Sequence, residues 1–202
     1  MNKKHLGLLC ILLGIACLLG AVGFLIYNRW EADAAADSTQ LLLEELQTVL
    51  TQTPRGPAPT QPAQPQAAVP GEMPTVPLGD YDCLGVLSIP VLELELPVLT
   101  DWSYQKLKKA PCHYYGSYNE KDFVIAAHNY QSHFGRLSQL QPGDLVVFTD
   151  VGGVDHGYKV VLLETLPPEA TEEMITSGFE LSLYTCTPGG GNRVTVRCAA
   201  VK

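Results

Sequence analysis

The chain has 202 residues, of which 46% are hydrophobic and 17% charged, and its formal net charge is −8. This length suits one ordinary domain with accessory segments and excludes a large multidomain assembly. From Gly79 to the end, nine Lys and Arg stand against fifteen Asp and Glu, so no basic face is expected and the composition argues against nucleic-acid binding.

An uncharged apolar run at residues 6–27 opens the chain. Twenty-two residues in a helix extend roughly 33 Å, enough to cross a hydrocarbon core of about 30 Å. Lysines precede the run at residues 3 and 4, and acidic residues soon follow Arg29. The positive-inside rule therefore predicts a single-pass signal anchor, with residues 1–5 in the cytoplasm and the rest outside the cell membrane. The alternative, cleavage within 32–36, exports the same domain.

Two further segments separate this anchor from the remaining domain. Residues 28–50 are expected to form a stalk, since leucines recur at helical spacing over 38–50; that helix would lie on the membrane or extend the anchor. Residues 51–78 hold eight prolines and almost no charge, which is typical of a semi-rigid polyproline linker.

The domain at 79–202 consists of short β-like runs separated by Gly and Pro turn signals. The predicted strands are 84–89, 94–99, 123–127, 144–149, 158–165, 181–185 and 193–200, and the predicted short helices are 102–109, 133–140 and 171–177. Many short strands with few helices favour a mainly β fold, a closed antiparallel β-barrel of about eight strands.

Polar side chains follow two of these strands where their apolar runs stop. The run FVIAA ends at His128 and Asn129, and LSLYTC ends at Cys186. The latter is followed by TPGGGN and then by RVTVRCAA, which begins at Arg193. A thiol, an imidazole and a guanidinium therefore lie close to strand ends.

Alternation predicts the register of the last two strands. If they form a hairpin, their apolar faces must coincide, because a slip by one residue would expose them. The register that satisfies this pairs Leu183 with Val196, Leu181 with Cys198, and Cys186 with Arg193. Cys186 and Arg193 are then neighbours at about 5 Å between Cβ atoms, whereas Arg197 faces Ser182. Shifts by two residues preserve parity and remain open.

These three groups suffice for acyl transfer. A thiolate attacks a carbonyl, an imidazole protonates the leaving amine, and a fixed cation stabilises the oxyanion. Three other histidines are not assigned to the site: His113 and His156 are expected at the surface, and His133 on the short helix after His128. Cys198 is expected in the core, and a pairing of Cys83 with Cys112 stays open because spacing does not fix their distance.

The motifs resemble those of the sortases, membrane-anchored cysteine transpeptidases of Gram-positive envelopes. The signature TLxTC appears as SLYTC at 182–186, the His-bearing segment as IAAHNYQSHFGRLSQLQPGD at 125–144, and the opening strands as GVLSIPVLELELPVL at 85–99. The resemblance covers 80–202, and its wording is closer to class B and class D. Ser182 replaces the usual Thr, and the short glycine-rich connection leaves open which arginine matches the family's, although the hairpin favours Arg193.

The resemblance implies a sortase-like barrel in which Cys186 is the nucleophile, His128 the general acid/base and Arg193 the oxyanion-stabilising or substrate-orienting cation. Asn129, Ser182 and Thr185 are candidates for substrate binding. It implies cleavage of an LPxTG-like sorting signal through a Cys thioester, and transfer to an amine from a peptidoglycan precursor or a pilin lysine. The groove is expected beside the connection 166–178.

No metal or other cofactor is expected, because the chain has no CxxC or HxxxH spacing. Glu169, Glu172 and Glu173 lie where some sortases bind calcium, but the helix dipole gives a simpler reason for acidic residues at a helix start. Two other functions remain open. One is another exported thiol peptidase or transpeptidase, and the other is a tethered non-enzymatic envelope module with an unreactive Cys186.

Overall fold

A computed structural model describes residues 3–52 and 73–201, so most of the proline-rich linker lies outside the described residues. The chain divides into two units, one up to Ala34 and one from Ala35 onward. The first unit is helical and belongs to α1 (Lys3–Gln52). An 18-residue window of α1 has a mean hydropathy of 2.2, so the helix is long and apolar enough to cross a membrane, a test that a signal sequence also passes.

The second unit is built on nine strands, and the predicted mainly β fold is confirmed. The strands are β1 (Val76–Leu78), β2 (Tyr81–Ile89), β3 (Leu94–Leu99), β4 (Cys112–Tyr115), β5 (Phe123–Ala126), β6 (Leu145–Asp150), β7 (Asp155–Leu166), β8 (Leu181–Cys186) and β9 (Arg193–Ala200). Two short helices, α2 (Tyr104–Leu107) and α3 (Thr171–Ile175), and two 3-10 turns, Pro90–Leu92 and Leu137–Gln139, complete it.

The strands form one sheet in the order β1-β2-β3-β4-β5-β8-β9-β7-β6, and a β2–β6 pairing closes it. Strands β2 to β9 thus make the ring of eight that the sequence predicts, with β1 added at its side. The β3–β4 and β5–β8 pairs are parallel and the other pairs antiparallel. A parallel pair needs a crossover connection; α2 lies in the first crossover, and β6, β7 and α3 lie in the second.

Gly85 allows β2 to pair with β6. Its φ is +155°, and a Cβ there would come within 2.1 Å of the Thr149 carbonyl oxygen on β6. The register between β2 and β3 shifts between Cys83 and Gly85 at this position. Only glycine accommodates such a close backbone approach.

Two apolar clusters stabilise the second unit. One fills the barrel and includes Phe123, Phe134, Phe148 and Leu183, all 0% exposed. The other lies between the barrel and α1, whose buried leucines are Leu42 and Leu46; the barrel contributes Leu78, Cys83, Leu99, Leu107, Ala110, Cys112 and Ala126. The stalk is helical and continuous with the apolar segment in α1, which is one of the two arrangements expected. That residues 35–52 also pack on the barrel was not predicted.

A buried polar contact fixes the same part of α1. The Oγ1 atom of Thr39 lies 2.9 Å from the Ala35 carbonyl oxygen, 2.7 Å from the Lys109 carbonyl oxygen and 2.7 Å from Nε2 of His133. Because the hydroxyl donates its single proton to these carbonyls, it accepts from Nε2, which carries the ring proton. The helix is thereby bonded to both the α2–β4 connection and the segment after β5.

Several local predictions differ from the structure. The predicted helix at 133–140 contains only a 3-10 turn, and those at 102–109 and 171–177 shorten to four and five residues. Strand β4 lies in a segment to which no strand was assigned, and β1 lies at the end of the predicted linker. Cys83 on β2 and Cys112 on β4 both lie opposite Leu99 of β3, one on each side of this strand. They are free thiols and form no disulfide with each other.

Candidate active site

Parallel pairing of β5 with β8 brings His128 and Cys186 to one edge of the barrel. The ladder runs from Phe123 opposite Leu181 to Ala126 opposite Tyr184. Continued by two residues, it places His128 opposite Cys186. Parallel strands end on the same side of a sheet, so the residues that follow them meet there even when they are distant in sequence.

A hydrogen bond holds this edge together. The Thr185 hydroxyl donates to the Ala127 carbonyl oxygen at 2.8 Å, and the Ala127 amide donates to the Tyr184 carbonyl oxygen at 3.2 Å. Both contacts lie within two residues of the two reactive groups. The last peptide units of β5 and β8 are therefore fixed relative to each other.

The hairpin of β8 and β9 has the predicted register. Its pairs include Leu183 with Val196, Leu181 with Cys198, Ser182 with Arg197, and Cys186 with Arg193. Gly189 and Gly190 have φ values of +84° and +76°, and the turn is closed by bonds between Thr187 and Asn192. Glycine adopts these left-handed conformations at little cost, which allows the short connection to place Arg193 beside Cys186.

His128, Cys186 and Arg193 all line one cavity of about 150 Å³, and all three are half-buried. Among the described residues, the hydrogen bonds of the Arg193 guanidinium are long contacts with main-chain oxygens of its own turn, at 3.4 Å to Gly190 and 3.3 Å to Asn192. Its other donors can therefore bind an anionic oxygen in the cavity. The structure thus brings together the three groups that the sequence assigns to acyl transfer.

The cavity has two different walls. Aromatic residues form one: Trp102, Tyr104, Tyr114 and Tyr184, with ring centroids 5.4–5.7 Å apart along the cluster. The β7–β8 connection forms the other: Pro167, Pro168, Ala170, Thr171 and Met174. The aromatic wall was not predicted, because its members come from three separate segments without a shared local pattern.

Cys186 differs from the other thiols of this unit. Burial raises the pKa of Cys83 to about 11 and the pKa values of Cys112 and Cys198 to about 12. These three side chains are 0% exposed and stay protonated at neutral pH, so they are poor nucleophiles. Cys186 alone among them reaches the cavity.

Arg197 lies outside the cavity and is 2% exposed. Its Nε donates to Glu164 Oε1 at 2.7 Å, and its Nη1 donates to Ser182 Oγ at 2.8 Å. The two arginines therefore differ in position: Arg193 pairs with Cys186 across the hairpin and lines the cavity, whereas Arg197 packs inside the fold.

The three candidates for substrate binding lie elsewhere. Ser182 is 0% exposed and bonded to Arg197, and Thr185 is 3% exposed and bonded to Ala127. Asn129 is half-buried and does not line the cavity. The expectation that these side chains face a substrate is therefore wrong for the two hydroxyls, since each is buried and bonded to a protein group.

Two histidines also differ from expectation. His133 is 0% exposed, and burial, with a smaller contribution from His128, lowers its pKa to about 4. His156 is not a free surface group, because its Nε2 lies 3.1 Å from Asp150 Oδ2 and its ring lies 4.4 Å from that of Tyr118. Neither residue lines the cavity.

Across residues 3–52 and 73–201, no group of three or more His, Cys, Asp or Glu side chains is arranged to hold a metal ion. Glu172 and Glu173 lie in the first turn of α3, and Glu164 is bonded to Arg197.

The family model described as "Sortase domain" matches residues 87–201, more than half of the chain. The family model and the closed barrel, which carries a Cys, a His and an Arg at one edge, together define the fold of a sortase-type cysteine transpeptidase. The chain belongs to the sortase family. The comparison with curated protein sequences finds no match.

Solved structures of sortases share the fold. Sortase A from Corynebacterium diphtheriae superposes with a TM-score of 0.55 at 22% identity, covering 61% of this chain and 62% of that one. Sortase C from Streptococcus pneumoniae gives 0.54 at 23%, covering 59% and 69%. A Sortase D5 transpeptidase from Clostridium perfringens gives 0.56 at 15%, covering 84% and 99%. Because these include classes A, C and D, the resemblance to class B or D stays a prediction.

Proposed function

We propose that this chain is a membrane-anchored sortase that cleaves an LPxTG-like sorting signal and transfers the acyl group to an amine. The observation that carries the proposal is the meeting of Cys186, His128 and Arg193 in one cavity at the end of the β5–β8 and β8–β9 pairs. The apolar window of α1 supplies the anchor, with its N-terminus in the cytoplasm and the barrel outside the membrane.

In the first step, the thiolate of Cys186 attacks the backbone carbonyl carbon of the Thr in the signal. Arg193 lies beside the thiol and donates to the oxyanion that forms on the carbonyl oxygen. His128, as the imidazolium, gives its proton to the leaving amine of the following Gly. The C–N bond breaks, and a thioester to Cys186 conserves its energy without ATP.

In the second step, an amine attacks the thioester. His128, now neutral, accepts a proton from this amine while the C–S bond breaks, which regenerates the thiolate and the imidazolium. A peptidoglycan precursor or a pilin lysine supplies the amine, so the product is a surface protein joined to the cell wall or a pilin joined to another.

The walls of the cavity suit a peptide of this composition. The Leu and Pro side chains of the signal pack on the apolar wall formed by Pro167, Ala170 and Met174. The aromatic wall on the other side, which includes Trp102 and Tyr104, excludes water from one face of the thioester.

The test uses a fragment that begins at Ala35, because residues 35–52 pack on the barrel. It is incubated with a panel of LPxTG-like peptides, with and without a glycine or lysine-type amine, and mass spectrometry follows the acyl adduct and the ligated product. We expect an adduct on Cys186 and an amine-dependent product. Cys186→Ala and His128→Ala should abolish turnover, and Arg193→Ala should lower kcat by about 10²–10³-fold, as for other oxyanion donors.

Cys198→Ala is the matched control, since it removes a buried thiol on the strand that bears Arg193. It should lose stability but keep the acylation of Cys186. Hydrolysis without any amine-dependent product would indicate a thiol peptidase instead. Absence of any adduct across the panel, with Cys186 unreactive toward alkylating reagents, would indicate a non-enzymatic module.

A further inference from the structure

The β7–β8 connection builds one wall of the cavity with little structure of its own. Between Leu166 and Leu181 it contains only α3, five residues long. Its internal main-chain bonds are few, such as Met174 to Ala170 at 3.2 Å and Thr176 to Glu172 at 2.9 Å. A segment of this length is expected to be loose unless the barrel holds it.

Arg197 on β9 holds the β7–β8 connection to the barrel. Its Nη2 donates to the Glu173 carbonyl oxygen at 2.7 Å, and its Nη1 lies 3.4 Å from the Met174 carbonyl oxygen. These carbonyls belong to α3, whose Met174 side chain lines the cavity. The guanidinium also lies 5.9 Å from the ring centroid of Phe179, further along the same connection. Three contacts of one side chain thus involve the wall or its flanks.

The opposite side of the guanidinium is fixed to the barrel. Glu164 on β7 accepts from Nε and Ser182 on β8 accepts from Nη1. Burying a charge here is costly and requires these partners. An apolar side chain would fill the position at a lower desolvation cost. The benefit of the arginine is therefore that its guanidinium binds two strands on one side and main-chain oxygens of α3 on the other.

Asp122 holds the end of the same segment. Its Oδ1 accepts from the Ser177 hydroxyl at 2.9 Å and from the Gly178 amide at 2.7 Å. The connection is therefore attached on both sides of its C-terminal half, at α3 by Arg197 and after α3 by Asp122. Neither attachment touches the cavity's reactive groups.

Resting on the proposed function, we infer that Arg197 is a positioning residue that holds the β7–β8 wall in its peptide-binding position before the sorting signal arrives. The two arginines of β9 then divide their work. Arg193 acts on the reacting carbonyl, whereas Arg197 sets the affinity for the peptide through α3. A substitution of Arg197 should therefore change KM for the peptide, whereas a substitution of Arg193 should change kcat.

The test compares Arg197→Met and Arg197→Lys with Thr195→Val in the full chain, purified in detergent. Thr195 is the matched control because it lies on the same strand and face, is 0% exposed, and its hydroxyl has no hydrogen-bond partner in the described part of the chain. We expect Arg197→Met to raise KM for the peptide about tenfold or more with little change in kcat. Arg197→Lys should give a smaller rise, since one ammonium cannot span all the partners.

Hydrogen exchange provides a readout that needs no substrate. In Arg197→Met, amides of 171–178 should exchange faster, while those of β8 and β9 and the rate of Cys186 alkylation by a small neutral reagent stay as in the wild type. Thr195→Val should change neither exchange in 171–178 nor KM. If Arg197→Met does not fold, Arg197→Lys carries the same comparison.

The outcomes separate this inference from the proposed function. If no peptide acylates the wild type, the proposed function fails, and unchanged exchange in 171–178 would overturn the anchoring role on its own. If peptides do acylate it, a fall in kcat with unchanged KM would assign Arg197 to catalysis and overturn the inference. Equal loosening of β8, β9 and the wall would show a general structural role, which also overturns it.

Discussion

Among the thiols of the barrel unit, only Cys186 is not fully buried. Burial raises the pKa values of Cys83, Cys112 and Cys198 to about 11–12, so their thiolate fractions at pH 7.5 are minute. We expect iodoacetamide to label Cys186 alone in the folded fragment from Ala35, as mapped by peptide mass spectrometry. Labelling of all four in urea is the control. Modification of Cys112 in the folded state would contradict the packing described.

At this scale, much of the site could be predicted from local pattern. Strand alternation favoured the register that joins Cys186 to Arg193, although it left shifts by two residues open, and the same register placed Arg197 opposite Ser182. The same pattern could not show that the Thr185 hydroxyl bonds to the Ala127 carbonyl oxygen. Ala127 follows β5, a distant segment, so no spacing within the β8–β9 hairpin reveals this partner.

The helical segment 35–52 is the element whose position matters most for stability. Leu46 is 0% exposed in the cluster between α1 and the barrel, whereas Leu41 on the same helix is 66% exposed. We expect Leu46→Ala to lower the free energy of unfolding of the fragment from Ala35 by about 2–5 kcal/mol, from lost burial and a residual cavity. Urea denaturation measures this difference.

Leu41→Ala is the control for helix propensity and should change the free energy of unfolding by less than about 0.5 kcal/mol. Equal effects of the two substitutions would mean that the helix does not pack on the barrel in solution. Cluster residues Leu107 and Ala126 also line the cavity that holds Cys186 and His128. A loosened helix should therefore weaken peptide turnover as well.

This docking could not be derived from the sequence. The leucines of 38–50 have a helical spacing, which predicts the helix but not its partner. The face it covers is assembled from short pieces, including β1 and β4, which have three and four residues and carry no alternation long enough to be recognised. The longer strands, by contrast, could each be located from their own apolar runs.

At the scale of the whole molecule, crossover connections create the site. The parallel strands β5 and β8 are joined by a crossover that contains two strands and a helix. This crossover closes the barrel through β6, and its last part also builds one wall of the cavity. Closure of the barrel and formation of the cavity therefore depend on the same segment of the chain, the connection from β5 to β8. Antiparallel pairing of neighbouring strands predicts a closed barrel, but it does not explain why His128 and Cys186 meet.

The stability of this assembly should depend on pH through His133, which faces Thr39 on α1 and is influenced by His128. Its Nδ1 is buried without a hydrogen-bond partner among the described residues, and burial lowers its pKa from 6.5 to about 4. As pH falls through 6.5, the unfolded chain binds a proton that the folded chain does not, so stability falls between pH 6.5 and 4.

For a single site of this kind, the free energy of unfolding should fall by about 1.3 kcal/mol from pH 7.5 to 5.5. Urea midpoints of the fragment from Ala35 measure it, since the midpoint follows the free energy at constant m. His133→Gln keeps an amide donor for Thr39 but cannot titrate, so its midpoint should vary less over this range. The lowered pKa of Asp150 acts only at more acidic pH. An equally steep pH dependence in His133→Gln would show that another group is responsible and that α1 is not joined to the barrel through a neutral, buried imidazole.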